Sequence, residues 1–209
     1  GYVEEEFDFD ASTGTIPSYN GYATFLAIPE TIGGAPVKAI GPEAFARHAY
    51  LAFLELPEGL ESIGDSAFYN CETLGRVRFP STLKTIGSNA FYNAYKSNVL
   101  ELPEGLESIG DYAFYFAGLK GSLELPEGLK SIGENAFEAC TNMGANLYLP
   151  STLESIGSNA FKGDYNIQYI VLESPTAPML GENVFAGCDY LYDIDLNAHG
   201  TRQEMQQWQ

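Results

Sequence analysis

A phenylalanine, usually preceded by alanine, returns at positions 45, 68, 91, 114, 137, 161 and 185, at intervals of 23, 23, 23, 23, 24 and 24 residues. A unit so short cannot bury its own apolar side, so successive units must stack and share one core. Each unit follows the frame L-x-L-P-x-x-L-x-x-I-G-x-x-A-F-x-x-C, as in Leu54, Leu56, Pro57, Leu60, Ile63, Gly64, Ala67, Phe68 and Cys71. The frame recurs from Leu100 to Ala117, and its apolar positions define the expected core columns.

Within a unit, the alternation Leu54-Glu55-Leu56 is a strand signal, repeated at Val77-Arg78-Phe79, Leu123-Glu124-Leu125 and Leu147-Tyr148-Leu149. These segments are expected to pair as a parallel sheet. The prolines at 57, 80, 103, 126 and 150 follow immediately and, lacking an N–H for the ladder, should end each strand. A second extended piece runs from Leu60 to Ile63. Asp65 then stands where a side-chain oxygen caps a helix start, a choice repeated by Ser88, Asp111 and Ser158, so a short helical turn carrying Ala67, Phe68 and Cys71 is expected. The two single-residue additions fall between Phe137 and Leu147 and between Leu172 and Phe185, and loops should absorb both. The longer first unit, with Thr31 to Pro36 inserted, reads as part of a cap. Phe7 to Asp10 with Thr15-Ile16 reads as a capping hairpin, and Thr201 to Trp208 as a C-terminal capping helix. The fold class is therefore a leucine-rich repeat solenoid, an α/β repeat rich in β, of about seven units in one domain over residues 1–209. The cap covers residues 1–23, the repeats 24–196 and the second cap 197–209.

Charge narrows the partners. With 10 Lys plus Arg against 28 Asp plus Glu, the formal net charge is −18, which repels phosphate backbones and anionic lipid. Nucleic acid is excluded as a partner on that ground. No apolar run of 18 residues exists to insert in a bilayer, and Gly1 to Asp10 lack the basic and apolar segments of a leader, so an exported chain would have lost its own.

The unit at 56–68, L-P-E-G-L-E-S-I-G-D-S-A-F, its counterpart at 79–91 with Phe79 in place of the leucine, and the opening unit at 28–41 resemble the bacterial BspA-like leucine-rich repeats. The resemblance covers about Thr24 to Leu196. It implies a secreted or cell-surface interaction module of host-associated bacteria, with adhesion or extracellular protein binding among its roles, and it carries over no catalytic residue.

The residues themselves offer little chemistry. His48 and His199 are the two bases near neutral pH, and they lie near opposite ends of the stack. No catalytic or phosphate-binding motif is present, so no enzyme activity, cofactor or metal is expected. Cys71, Cys140 and Cys188 share one column at separations of roughly 14 and 10 Å for rungs ~4.8 Å apart, too far for disulfides. The pairs Asp8 with Asp10 and Asp193 with Asp195 lack the frame of a calcium loop and read as solvated edge carboxylates. Lys38, Glu61, Lys84, Glu107, Lys130 and Glu154 alternate in sign unit by unit, a ladder suited to fixing register.

Two surfaces remain as ligand candidates. The outward column of the main sheet, Ala27, Glu55, Arg78, Glu101, Glu124, Tyr148, Val171 and Asp195, is acidic in its middle. Tyr69, Tyr92 and Tyr115 follow the core phenylalanine in three consecutive units and should form a partly exposed, stacked row, widened into an aromatic patch by Tyr112, Phe116 and Tyr95. The reading is a monomeric adhesion or protein-interaction module with an extracellular protein or glycan partner. Its rival is a structural spacer within a larger surface protein, without a ligand of its own.

Overall fold

A computed structural model describes residues 4–173 and 176–196. The expected C-terminal helix and His199 lie outside them. The chain winds as a solenoid whose longest sheet runs through eight parallel strands, Thr15–Tyr19, Ala39–Ile40, Ser62–Ile63, Thr85–Ile86, Ser108–Ile109, Ser131–Ile132, Ser155–Ile156 and Met179–Leu180. Phe7–Asp10 pairs antiparallel with the first of these and closes that end as a hairpin. The second extended piece of each unit thus supplies the continuous sheet. Its isoleucine points into the core and its Ser or Thr is half-exposed.

The other sheet is not continuous. Phe25–Ala27, Phe53–Glu55 and Arg76–Arg78 form one block, and Gly121–Glu124, Met143–Leu149, Ile167–Leu172 and Asp193–Leu196 form another. The unit between them, at Leu100 to Leu102, makes no strand, which corrects the expectation of one sheet through Glu101. Here the chain carries left-handed backbone at Tyr95 (φ 68°) and Ser97 (φ 51°), and the Tyr95 ring turns inward against Phe91 at 5.7 Å. Tyr95 is buried and so does not belong to the exposed aromatic patch.

The strand-ending prolines behave as expected. Each of Pro57, Pro80, Pro103, Pro126 and Pro150 accepts an N–H from the leucine three residues on, at 3.2–3.4 Å. The inserted first unit is a tight hairpin, Thr31–Ile32 with Ala35–Pro36, joined by Gly33 and Gly34, both at positive φ. The added residue before Leu147 is not absorbed by a loop. It sits inside strand Met143–Leu149 as a bulge against Gly121–Glu124, where Gly121 faces Met143 but Leu123 faces Leu147, with Ala145 between them at φ 52°.

The short helices do not form; among the described residues the helical segment is a single 3₁₀ turn, Glu4–Glu6. In the segment around Phe68, the N–H groups of Ser66, Phe68 and Asn70 reach the next rung's carbonyls at Ser88, Ala90 and Tyr92, each at 2.8 Å. Those of Ala67, Tyr69 and Cys71 turn back to Gly64, Ser66 and Phe68 at 3.1–3.2 Å. A helix would direct every N–H along its own axis, whereas alternate left-handed residues, Ser66 and Asn70 (both φ 56°), send every second one between rungs. The intended helix caps serve the same stacking: Asp65 Oδ1 accepts from Ser88 N at 2.9 Å, Asp111 Oδ1 from Glu134 N at 2.8 Å, and Ser158 Oγ from Glu182 N at 2.9 Å.

The core columns are those of the repeat frame: Leu54, Leu56, Leu60, Ile63, Ala67 and Phe68 are all buried. Six successive ring contacts from Phe45 to Phe185 stack at 5.0–5.6 Å, a spine through the whole repeat. Lys38, Glu61, Lys84, Glu107, Lys130 and Glu154 do follow one another through backbone bonds of 2.8–2.9 Å. None of these neighbours closes an ion pair; among the described residues the pair within 4 Å is Arg78–Glu55, at 3.9 Å.

Candidate functional site

Tyr69, Tyr92 and Tyr115 stack at 4.8 Å with interplanar angles of 24° and 23°, because they occupy one column of adjacent rungs. Arg47 lies over the ring of Tyr69 at 5.2 Å. Tyr112 leans on the row, 5.5 Å from Tyr115 and 6.4 Å from Tyr92, while the exposed Phe116 stands on the same turn. Partial burial and the neighbouring phenols at 115, 69 and 112 push the Tyr92 hydroxyl above its ordinary pKa. The stacked faces of the three rings meet one another, and Arg47 covers the other face of Tyr69.

On the sheet side, a recess of about 460 Å³ lies over the strandless Leu100 to Leu102 and the strands that follow it. It brings together Glu101, Glu124 and Tyr148 with Glu104, Glu127 and Glu173. Glu127 is tied to the next rung, accepting from Ser151 N at 3.0 Å and from Ser151 Oγ at 2.7 Å, as Glu58 is by Ser81 at 2.9 and 2.8 Å. Glu104 lacks this restraint, since the next rung carries Glu127 in place of serine. Glu101, Glu104 and Glu124 form no ion pair among the described residues. The Tyr148 hydroxyl accepts from Asn146 Nδ2 at 3.1 Å. The recess therefore gathers carboxylates without cations to neutralise them.

His48, Asp8, Asp10 and Asp195 are occupied in holding the fold. His48 Nε2 donates to the Tyr19 carbonyl at 3.0 Å, and burial pulls its pKa below the ordinary imidazole value. Asp10 accepts from Ser12 N at 3.0 Å and Ser12 Oγ at 2.6 Å, Asp8 accepts from Ser18 Oγ, and Asp195 accepts from the Tyr169 hydroxyl at 3.3 Å. Among the described residues no three His, Cys, Asp or Glu side chains converge as a metal site, and no helix is long and apolar enough to cross a membrane.

Cys71, Cys140 and Cys188 are buried free thiols that donate to the carbonyls of Phe45, Phe114 and Phe161 at 3.1, 3.1 and 3.2 Å. Burial raises Cys71 and Cys188 to about 12, so neither is a nucleophile at neutral pH. The same column holds Asp164, which the repeat frame reveals three residues after Phe161 but which attracts no notice among 28 acids. It is fully buried; Oδ1 accepts from Cys140 N at 2.8 Å, and Oδ2 has no partner among the described residues. Glu104, Glu127 and Glu173 also escape the sequence reading, although the succession P-E at 103–104 and 126–127, against P-S at 80–81 and 150–151, marks where a glutamate loses its serine.

The sequence matches the BspA type leucine rich repeat region over residues 38–121 and 117–206. In structure, the chain is similar to the leucine rich repeat protein of T. pallidum, with TM-score 0.81, 27% identity, and 91% of this chain against 90% of that one. A leucine-rich repeat protein from Bacteroides ovatus aligns with TM-score 0.77 and 28% identity over 91% of this chain and 51% of its own. A leucine rich cell surface protein from Faecalibacterium prausnitzii aligns with TM-score 0.78 and 29% identity over 94% and 54%. The chain thus spans about half the length of the latter two. No curated protein matches the sequence.

Proposed function

The chain belongs to the BspA-type leucine-rich repeat family, and from that premise we propose that it is a non-catalytic interaction module of a bacterial surface that holds an extracellular protein through the recess in its sheet face. The observation that carries this reading is the recess over Leu100 to Leu102, which gathers the unpaired Glu101, Glu104 and Glu124 without a cation in its lining. A concave surface with surplus negative charge suits a basic, protruding segment of a protein partner, through electrostatic steering and short-range pairing. Support for the surface setting comes from the Faecalibacterium prausnitzii relative, described as a cell surface protein. The occupation of His48 by the fold agrees with a role that is not catalysis.

Screening the chain against an array of extracellular proteins and glycans tests the reading. Captured proteins should present Lys- or Arg-rich segments, and capture should weaken with salt. Replacing Glu101, Glu104 and Glu124 together by Gln should weaken capture on the order of tenfold, given roughly 0.2–1 kcal/mol per exposed charge pair, and flatten the salt dependence. If the variant with Tyr69, Tyr92 and Tyr115 changed to Ser loses capture instead, the site lies on the tyrosine flank with Tyr112 and Phe116. If the array captures nothing, the spacer role replaces binding.

A further inference from the structure

A tyrosine phenol gives up one electron and its hydroxyl proton to a strong one-electron oxidant, and the radical that remains carries spin on the ring carbons beside the oxygen. Two such radicals in contact join. The row at Tyr69, Tyr92 and Tyr115 holds its phenols in that kind of contact, with centroids 4.8 Å apart on successive rungs. Tyr112 adds a fourth ring, 5.5 Å from Tyr115 and 6.4 Å from Tyr92. The three members of the row are half-exposed and Tyr112 is exposed, so an oxidant in solution reaches them.

The two ends of the row differ in charge. The Arg47 guanidinium over Tyr69, at 5.2 Å, opposes removal of an electron from that ring. One rung beyond Tyr115 the same place is taken by Glu138, next to Phe137, whose ring stacks on Phe114 at 5.2 Å. A carboxylate at that end favours loss of an electron from Tyr115. Oxidation is therefore directed toward Tyr92 and Tyr115 and away from Tyr69. The backbone between these two tyrosines includes the strandless Leu100 to Leu102, beside an isolated bridge from Asn98 to Leu119.

We propose that Tyr92 and Tyr115 are an oxidative cross-linking site, at which hydrogen peroxide and a haem peroxidase couple the two rings and staple together the rungs on either side of the strandless segment. Each phenol loses one electron and its O–H proton. A carbon–carbon bond then forms between the ring carbon beside the oxygen in Tyr92 and its counterpart in Tyr115, and the hydrogen on each bonded carbon moves as a proton to the oxygen of its own ring, which restores both phenols. The electrons and protons released reduce the peroxide to water. Because both rings are half-exposed, they have room to turn from the stacked to the edge-on placement that the new bond needs.

The test treats the whole chain, dilute enough to keep molecules apart, with hydrogen peroxide and a haem peroxidase, and then digests it with trypsin. Cleavage after Lys84, Lys96 and Lys120 leaves Tyr92 on the peptide 85–96 and Tyr115 on the peptide 97–120. Coupling within one molecule should join these peptides with the loss of two hydrogens in mass, while the protein runs as a single chain on a denaturing gel. The joined peptide is the readout, because the exposed Tyr22 and Tyr50, 6.0 Å apart, are open to the same chemistry and add to total dityrosine fluorescence. Tyr92→Phe and Tyr115→Phe keep the stacked rings and should each abolish the joined peptide, whereas Tyr69→Phe and Tyr112→Phe should retain it. The cross-linked protein should also melt several degrees higher and exchange amide hydrogens more slowly over residues 97–104. Absence of the joined peptide, its survival in Tyr92→Phe or Tyr115→Phe, its loss in Tyr69→Phe or Tyr112→Phe, or unchanged exchange over 97–104 in the cross-linked protein overturns the proposal.

Discussion

At the scale of single residues, the telling side chain is Asp164. Every other polar member of its column supplies a hydrogen: the three thiols donate to the carbonyl of the phenylalanine one rung earlier, and for Asp164 the corresponding carbonyl is that of Phe137. Burial foremost, and then the nearby Glu138 charge, push its pKa well above the usual carboxylate value, against the opposing bond from Cys140 N. The titratable groups around it are Glu138, Cys140 and Cys188, with Asp189 beside the last. A raised pKa means that the folded chain holds the proton more tightly than the unfolded one. The stabilisation is therefore complete below the ordinary value near 3.8 and falls as pH rises toward the folded pKa. Asp164→Asn, which keeps an acceptor and adds a permanent donor, should raise stability at pH 7 by about 1–3 kcal/mol and flatten that fall. Urea titrations of both proteins at pH 4.5 and pH 7 measure it; equal stability at pH 7 would show Asp164 to be ionised and accommodated.

At the scale of elements, the seven strands of the long sheet from Ala39–Ile40 to Met179–Leu180 are two residues each, far too short to hold by their own ladder, so the glycine that follows each one decides how closely the rungs sit. A Cβ on Gly110 would lie 2.6 Å from Ser88 N and 2.7 Å from the Gly87 carbonyl carbon, and one on Gly133 would lie 2.5 Å from Asp111 N. Backbone cannot yield as a side chain does. Gly110→Ala should cost about 1–3 kcal/mol or more through forced separation of two rungs. Gly144→Ala is the control. Gly144 has an ordinary φ and its nearest neighbour is Asn166 Cβ at 3.5 Å, so stability should change by less than about 1 kcal/mol. Thermal melts of the pair should differ clearly; matching melts would mean that the rungs are less tightly spaced than described. This column of I-G was legible as a repeat, but a repeat alone reads as a turn preference. The clash with the preceding rung becomes visible only when the rungs are stacked.

At the scale of the whole molecule, two ladders and a phenylalanine spine tie the rungs together, while the other sheet is cut at Leu100 to Leu102. Stability in such a stack is a sum of neighbouring interfaces, so the cut marks the weakest sheet contact without dividing the solenoid. Native-state hydrogen exchange should be faster over residues 97–104 than over 76–79 and 121–125, while Ile86, Ile109 and Ile132 stay protected across the cut. Equal protection through 97–104 would mean that the strand forms there after all. The period of 23 to 24 residues by itself determined the solenoid, the core columns, the strand-ending prolines and the stacked tyrosines, because each depends only on which residues recur at the same place in every unit. The capping hairpin was legible for a similar reason, as local alternation around a turn. Tertiary stacking alone decided the rest. It replaced helices by bridging turns because a neighbouring rung offers carbonyls to every second N–H, and it turned Tyr95 inward and broke the sheet. It also converted dispersed Glu positions into a recess, because a surface of a solenoid is made of residues 23 or 24 apart, which meet only once the units are stacked.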